Sequence, residues 1–263
     1  MKISIYYYSG AGNTKFITKK ITNSFQKTHN VVSTKIKNNL LENTVEDDFD
    51  MLGIGFPIYF RNAPELISEF LKTLEGKGRK VFFFCTKGLY SGNAIKDIME
   101  LSIKQNFIPS RYIEFYMPGT DALLLLAKKG SLLEKFFKSI YSRNIVVKIE
   151  KFTNNIVNSN TNIPNKKWYT FLDNLIVKNF ERKWTDYNKK LIPQFYSKES
   201  ICIECMKCVK GCPRNNIFFD QHIQFGLSCD TCFYCIHNCP VEAIQIGDIT
   251  ENTVRYNKVT VTT

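Results

Sequence analysis

Residues 2–14 read Lys-Ile-Ser-Ile-Tyr-Tyr-Tyr-Ser-Gly-Ala-Gly-Asn-Thr, and that stretch decides how the first half of the chain folds. The apolar run 3–8 is short and nearly continuous, as in a strand buried on both faces. A loop with two glycines follows, and a helical pattern over 14–27 begins directly after it. The same alternation continues downstream. Strand-like runs lie at 31–36, 51–56, 80–85 and 113–117, with helical patterns at 64–74 and 92–106 between them. Pro64 opens its helix with Glu65 in the first turn, a strong start signal. Strands alternating with helices give an α/β doubly wound parallel sheet. Ligands in such sheets sit beyond the carboxyl ends of the strands, so the loops there are read for chemistry.

The first of these loops is Ser9-Gly10-Ala11-Gly12-Asn13-Thr14. Its glycines let backbone N–H groups converge, its polar side chains add donors, and the helix behind it contributes positive charge. A dinucleotide fingerprint would need a third glycine where Lys15 stands, and no Walker lysine pattern is present. A monophosphate fits best, with a plain glycine turn as the alternative. The loop after the third strand carries Pro57, Ile58, Tyr59, Phe60, Arg61 and Asn62. The loop after the fourth carries Thr86, Lys87, Gly88, Leu89, Tyr90, Gly92 and Asn93. Both place an aromatic at the edge that holds the phosphate loop, where a planar cofactor would stack between Tyr59 and Tyr90.

On these residues the first 150 positions resemble the flavodoxins, especially the short-chain type. The resemblance implies FMN, its phosphate on residues 9–14 and its ring between Tyr59, or Phe60 in its place, and Tyr90. Ala11 stands where the family has a hydroxyl residue. Lys87 and Arg61 are expected near the ring, where they would raise the potential of the flavin. The loop 117–121 is expected close by, as a flavin contact or a simple turn.

Nine cysteines are present, and eight of them lie between positions 202 and 239. Residues 202–213 read Cys-x2-Cys-x2-Cys-x3-Cys-Pro, and residues 229–240 repeat the pattern 27 positions later. With no secretory signal in front of them, dense cysteines point to metal or redox chemistry. Three cysteines at intervals of three let one tight loop wrap a cuboidal cluster, while the fourth reaches the other cluster. Cys202, Cys205, Cys208 and Cys239 would hold one [4Fe–4S] cluster, and Cys229, Cys232, Cys235 and Cys212 the second. Structural zinc prefers two cysteine pairs with a long spacer. This region is similar to bacterial two-[4Fe–4S] ferredoxins at all eight ligand positions. It departs at Met206 and Phe233, where that family often has Gly or Ala. Cys85, at the end of the fourth strand, reads as a core residue.

The expected organisation is an FMN domain over 1–150, a basic helical connector over 151–196, and a small α+β ferredoxin-like domain with its tail over 197–263. A long helix is expected within 131–160, a second over 166–191, and an edge strand at 254–261. The net charge of +12 is uneven. The first 150 residues carry +8, the connector +5, and residues 197–247 carry −1. Nucleic-acid binding has only the charge in its favour and no motif. No apolar run is long enough to cross a bilayer, and the N-terminus has no secretory pattern, so a cytoplasmic location is expected. The basic connector helix suits packing between the domains, or peripheral contact with an anionic membrane.

The order of the two halves resembles the flavodoxin–ferredoxin fusion proteins of anaerobic bacteria. That resemblance implies electron transfer between two [4Fe–4S] clusters and FMN, linking a low-potential donor to an acceptor protein. Ordinary flavodoxins and ferredoxins are acidic, so the basic half points to an acidic partner. A flavin-dependent reductase of a quinone or nitro compound is the alternative. A third reading makes the first domain a docking scaffold without flavin. No residues form an acid–base catalytic set: His29, His222 and His237 show neither a triad nor a zinc arrangement.

Overall fold

The computed structural model describes residues 1–42, 48–59, 61–156, 187 and 189–256. Five strands, β1 (Lys2–Tyr7), β2 (Asn30–Lys35), β3 (Met51–Pro57), β4 (Lys80–Lys87) and β5 (Ile108–Tyr116), form a parallel sheet in the order β2-β1-β3-β4-β5. The order reverses at β1, so the loop after β1 opens at the switch point. Helix α1 (Asn13–Phe25) starts there, with Gly12 in the left-handed region at φ 94°. Short α2 (Asn39–Glu42), then α3 (Glu65–Lys72) and α4 (Ala94–Lys104), follow their strands.

Every residue of β3 is buried, because helices cover both faces of the sheet. On one face α3 and α4 bring Leu66, Phe70, Ile95 and Met99 against Leu52, Ile54 and Phe83. On the other, α1 brings Ile17, Ile21 and Phe25 against Phe82 and Phe84. Gly53 and Gly55 are paired in register with Phe82 and Phe84. A Cβ on either glycine would stand 2.3 or 2.1 Å from the facing ring, so those phenylalanines lie flat across β3 only because the glycines lack one.

Residues 131–160 do not form one helix. Helix α5 (Thr120–Leu126) is followed by α6 (Leu132–Ser139) and, after a break, by α7 (Ile145–Asn154). At the break Ser142 pairs with the last residue of β5. Its N–H donates to the Tyr116 carbonyl at 2.8 Å, and its hydroxyl accepts from the Tyr116 N–H at 2.7 Å. Asn144 then turns the chain at φ 53°. Helix α7 packs on α1, and Ile145, Ile149, Phe152 and Ile156 complete that core. The connector helix expected over 166–191 lies outside the described residues except for Tyr187 and 189–191. Leu191 is buried against the second unit.

The second unit carries two antiparallel pairs, β6 (Phe195–Ser197) with β9 (Ile244–Ile246), and β7 (Ile217–Asp220) with β8 (His222–Phe225). Helices α8 (Lys207–Gly211) and α9 (Tyr234–Asn238) lie between them in the chain. The 27-residue duplication is kept in the backbone: α8 maps onto α9, β6 onto β8, and β7 onto β9. Left-handed residues recur at the same interval, Glu204 with Thr231, Met206 with Phe233, and Asn215 with Glu242. Val254 and Tyr256 return to pack on Ala11, Leu123 and Ala127 of the first unit. The rest of the tail expected as an edge strand, 257–261, lies outside the described residues. Among the described residues no helix is long and apolar enough to cross a membrane.

Candidate redox site and the loops beside it

The cysteine loops are shaped by their left-handed turns. Met206 and Phe233 cap the N-termini of α8 and α9, so the second cysteine of each run precedes a turn and the third sits inside a helix. Cys212 stands with Cys229, Cys232 and Cys235 around one cavity, walled by Phe195, Phe225 and Phe233. Cys202, Cys208 and Cys239 each pack on the edge of the same apolar core, and Cys208 has Cys239 and Cys205 as neighbours. Fourth cysteines therefore cross over, as the spacing requires. Backbone N–H groups point at the sulfurs: Asn216 N–H at Cys212 Sγ (3.4 Å), Thr231 N–H at Cys229 Sγ (3.3 Å) and Ala243 N–H at Cys239 Sγ (3.2 Å). Asn216 and Ala243 are again 27 residues apart. Asn216 is held in turn by Gly226 and Ser228, whose backbone it meets at 2.9 Å on each side.

The two sets differ in exposure. Cys212, Cys232 and Cys235 are buried, whereas Cys205 is exposed. The difference arises because the loop around Cys232 is pressed onto the first unit. The Cys232 carbonyl oxygen and the Tyr59 Oη each lie 2.5 Å from the place a Cβ on Gly10 would take. Tyr8 is fully buried beneath, with its hydroxyl against Cys232 and Asp230. Burial pushes the phenols of Tyr8 and Tyr59 far above the usual tyrosine range, so both remain protonated donors.

Around this seam the units are fastened by specific polar contacts. The Arg214 guanidinium reaches Glu69 of α3 and Asp230 of its own unit, the latter at 2.7 Å. Asn38 donates from its backbone to Pro213 O (2.8 Å) and from its side chain to Arg214 O (3.0 Å). His237 is buried, with Nε2 on the Thr120 carbonyl (3.2 Å) and Nδ1 accepting from the Tyr256 N–H (3.1 Å). Burial, with the charge of Arg255 nearby, pulls its pKa down to about 3. It is a neutral structural histidine. None of these contacts was visible as a sequence motif, because the partners are separated by 16 to 176 positions.

The loop 9–14 is enclosed by protein. Ser9, Ala11 and Thr14 are buried. Ser9 Oγ accepts from Lys15 N–H at 3.2 Å, and the hydroxyls of Thr14 and Thr86 meet at 2.9 Å. Asn13 donates to Pro118 O and accepts from Tyr256 Oη. Tyr59 Oη accepts the Gly10 N–H. The loop after β3 closes on itself through paired Tyr59–Asn62 backbone bonds of 2.9 Å, and Ile58 N–H joins it to Thr86 O. Phe60 lies outside the described residues. Arg61, at φ 73°, lays its guanidinium 4.6 Å over the Tyr90 ring. Gly92, at φ 58°, meets the Arg61 carbonyl, which stands 2.7 Å from its Cβ place. Pro57 ends β3 in the core, Asn93 caps α4, and Gly88 and Leu89 form the outer bend. Lys87 is turned away from the Tyr59–Tyr90 gap: its ammonium is buried against Glu114 (2.9 Å) and the Tyr116 ring (4.7 Å). Cys85 is fully buried.

Residues 4–109 match the flavodoxin domain family, and residues 194–240 match the 4Fe-4S dicluster domain family. No curated protein matches the chain. Among solved structures it is similar to the two-electron reduced flavodoxin of Megasphaera elsdenii, at 21% identity over 43% of this chain and 85% of that one, TM-score 0.35. It is also similar to a flavodoxin from the domain Archaea, at 15% identity over 59% and 99%, TM-score 0.38. A flavoprotein from Lactobacillus acidophilus NCFM in complex with FMN matches at 17% identity over 43% and 92%, TM-score 0.36. These are partial likenesses, and they carry no argument about chemistry. A flavodoxin domain implies FMN, and a 4Fe-4S dicluster domain implies iron–sulfur clusters. The inner cysteines fit the second implication: four thiols around one cavity with apolar walls, and N–H groups aimed at sulfur. The loops do not fit a flavin ring as they are folded here, because Arg61 covers Tyr90, and Tyr59 and Cys232 close over Gly10.

Proposed function

We propose that this chain, which joins a flavodoxin domain to a 4Fe-4S dicluster domain, transfers electrons between a low-potential donor and an acceptor protein that docks near Cys205. The observation carrying this reading is the convergence of Cys212, from the first cysteine run, with Cys229, Cys232 and Cys235 of the second around one apolar cavity, while Cys205 of the first run is exposed. Cys202, Cys205, Cys208 and Cys239 hold one [4Fe–4S] cluster, and Cys229, Cys232, Cys235 and Cys212 hold the other. When bound, each cluster supplies reversible one-electron chemistry. The chain's own part is to exclude water from the inner set with Phe195, Phe225 and Phe233, and to aim N–H groups at the sulfurs. It also leaves the outer set within reach of a partner. The basic first unit suits an acidic partner. Anaerobic purification with iron, acid-labile sulfide and flavin quantified tests the reading: close to eight irons per chain is expected. Fewer than four irons, or loss of only part of the iron-dependent absorbance when Cys205 and Cys232 are both replaced, overturns it.

A second reading is favoured by the closed loops. In it the first unit acts as a scaffold that clamps the inner cysteine loop, with no flavin bound. Stoichiometric flavin in the same purified protein overturns that reading and leaves the first one standing.

A further inference from the structure

A second cavity, of about 300 Å³, lies at the seam between the units, beside the ends of β1 and β2. Its floor is the loop around Gly10 and Gly12, and its walls carry four lysines. Lys15 comes from α1, Lys35 and Lys37 from the end of β2, and Lys210 from α8 of the second unit. No carboxylate lines it. Among the described residues none of the four lysines forms an ion pair. The few partners they have are neutral. Lys37 Nζ donates to the Lys210 carbonyl at 2.6 Å, and Lys35 Nζ to the Gly211 carbonyl at 3.4 Å while lying 4.5 Å over the Tyr234 ring.

Such a gathering of like charge is unfavourable by itself. Lys35 and Lys37 are half-buried, Lys15 and Lys210 stand exposed at the rim, and opposite charge is what would relieve the four. Burial pulls the Lys35 pKa down to about 8, with Cys232 acting against it and the charges of Lys37 and Lys15 adding to it. The N-terminus of α1 adds its partial positive charge at Gly12. A single phosphate would engage only one side of a cavity this size. A linked pair of phosphates carries three to four negative charges and spans it.

We infer that this seam is a binding site for a diphosphate-class anion, held by Lys15, Lys35 and Lys37 of the first unit and Lys210 of the second. The ligand bridges the two units, so it would tighten their docking. It also brings negative charge beside Tyr234, the residue before Cys235, which disfavours adding an electron there. The site shares the loop around Gly10 and Gly12 with the expected FMN phosphate. Its effect on electron addition rests on the electron-transfer reading, whereas its binding of the anion does not.

The test is isothermal titration of the anaerobically purified full chain with inorganic pyrophosphate at constant ionic strength, with inorganic phosphate in parallel. Pyrophosphate is expected to bind at least tenfold more tightly than phosphate and to raise the unfolding temperature. Lys35→Gln with Lys37→Gln is expected to weaken it more than tenfold. Lys210→Gln, on the exposed rim, tests the bridge without touching a buried group and is expected to weaken it several-fold. Lys20→Gln, on α1 outside the cavity, is expected to change nothing. Absence of binding, equal affinity for phosphate, or binding indifferent to Lys210→Gln and the double variant overturns the inference. So does displacement of pyrophosphate by FMN but not by riboflavin, which would assign the cavity to the flavin's own phosphate.

Discussion

The Cys232 carbonyl oxygen lies 2.5 Å from the position a Cβ on Gly10 would occupy, so the first glycine of the β1 loop is where the second cysteine run sits down. Glycine is needed there for space, since its φ is not among the positive ones. Gly10→Ala should therefore push the Cys232 loop and Tyr59 away together. The expected cost is about 1–3 kcal/mol, the usual range for overpacking. Thermal unfolding of the full chain measures it, and an unchanged midpoint would show that the two units can separate freely at this point.

Arg214 ties that seam from the other side. Its side chain is 11% exposed and Asp230's is 8%, so removing the guanidinium strands a buried carboxylate. Arg214→Ala should cost about 3–5 kcal/mol. Glu69→Gln, whose side chain is 35% exposed and which leaves Asp230 paired, should cost far less. Chemical denaturation of both variants separates the cases; equal losses would contradict the assignment of Asp230 as the buried partner.

Met206 and Phe233 occupy equivalent places in the duplication, both at φ near 55°. A non-glycine residue in that region costs about 1–2 kcal/mol. At Met206, which is half-buried, relief of that cost should dominate, and Met206→Gly should stabilise by about 0.5–1 kcal/mol. At Phe233 the ring is 2% exposed and stacked on Phe195 at an interplanar angle of 8°. There the lost burial should dominate, and Phe233→Gly should destabilise by about 2–4 kcal/mol. Unfolding midpoints moving in the same direction would refute this account.

The Arg61–Tyr90 contact closes the gap expected for a flavin ring. Cation–π stacking of this kind contributes about 0.5–2 kcal/mol. Arg61→Ala should therefore strengthen FMN binding by up to roughly tenfold, followed by quenching of flavin fluorescence. Unchanged or weaker binding would mean that the closure is held elsewhere in the 58–62 turn.

Much of this was legible along the chain. The apolar run 51–56 reads as a strand buried on both faces, and the structure buries all of it within β3. Glu65–Lys72 starts where Pro64 said it should. The loop 9–14 stands out by its glycines, and the two cysteine runs by their 27-residue repeat. The single helix expected within 131–160 was not found. The pairing of Ser142 with Tyr116 that breaks it is a contact over 26 positions, which helical periodicity does not register. Lys87 was placed near the ring by its loop, but Glu114, on the neighbouring strand, draws it inward.

The amino-acid sequence by itself determined the local events: which runs become strands, where the first loop bends on its glycines, and how the cysteine runs repeat at 27 positions. These depend on residues within a few positions of each other, or on an exact repeat. Tertiary structure alone decided that the inner cysteine loop covers the β1 loop, that Arg61 shuts the neighbouring gap, and that four lysines from both units face one cavity. Those outcomes come from the docking of two separately legible modules. Docking is set by shape and by single polar contacts between distant residues, such as Arg214 with Glu69, which leave no periodic trace in the chain.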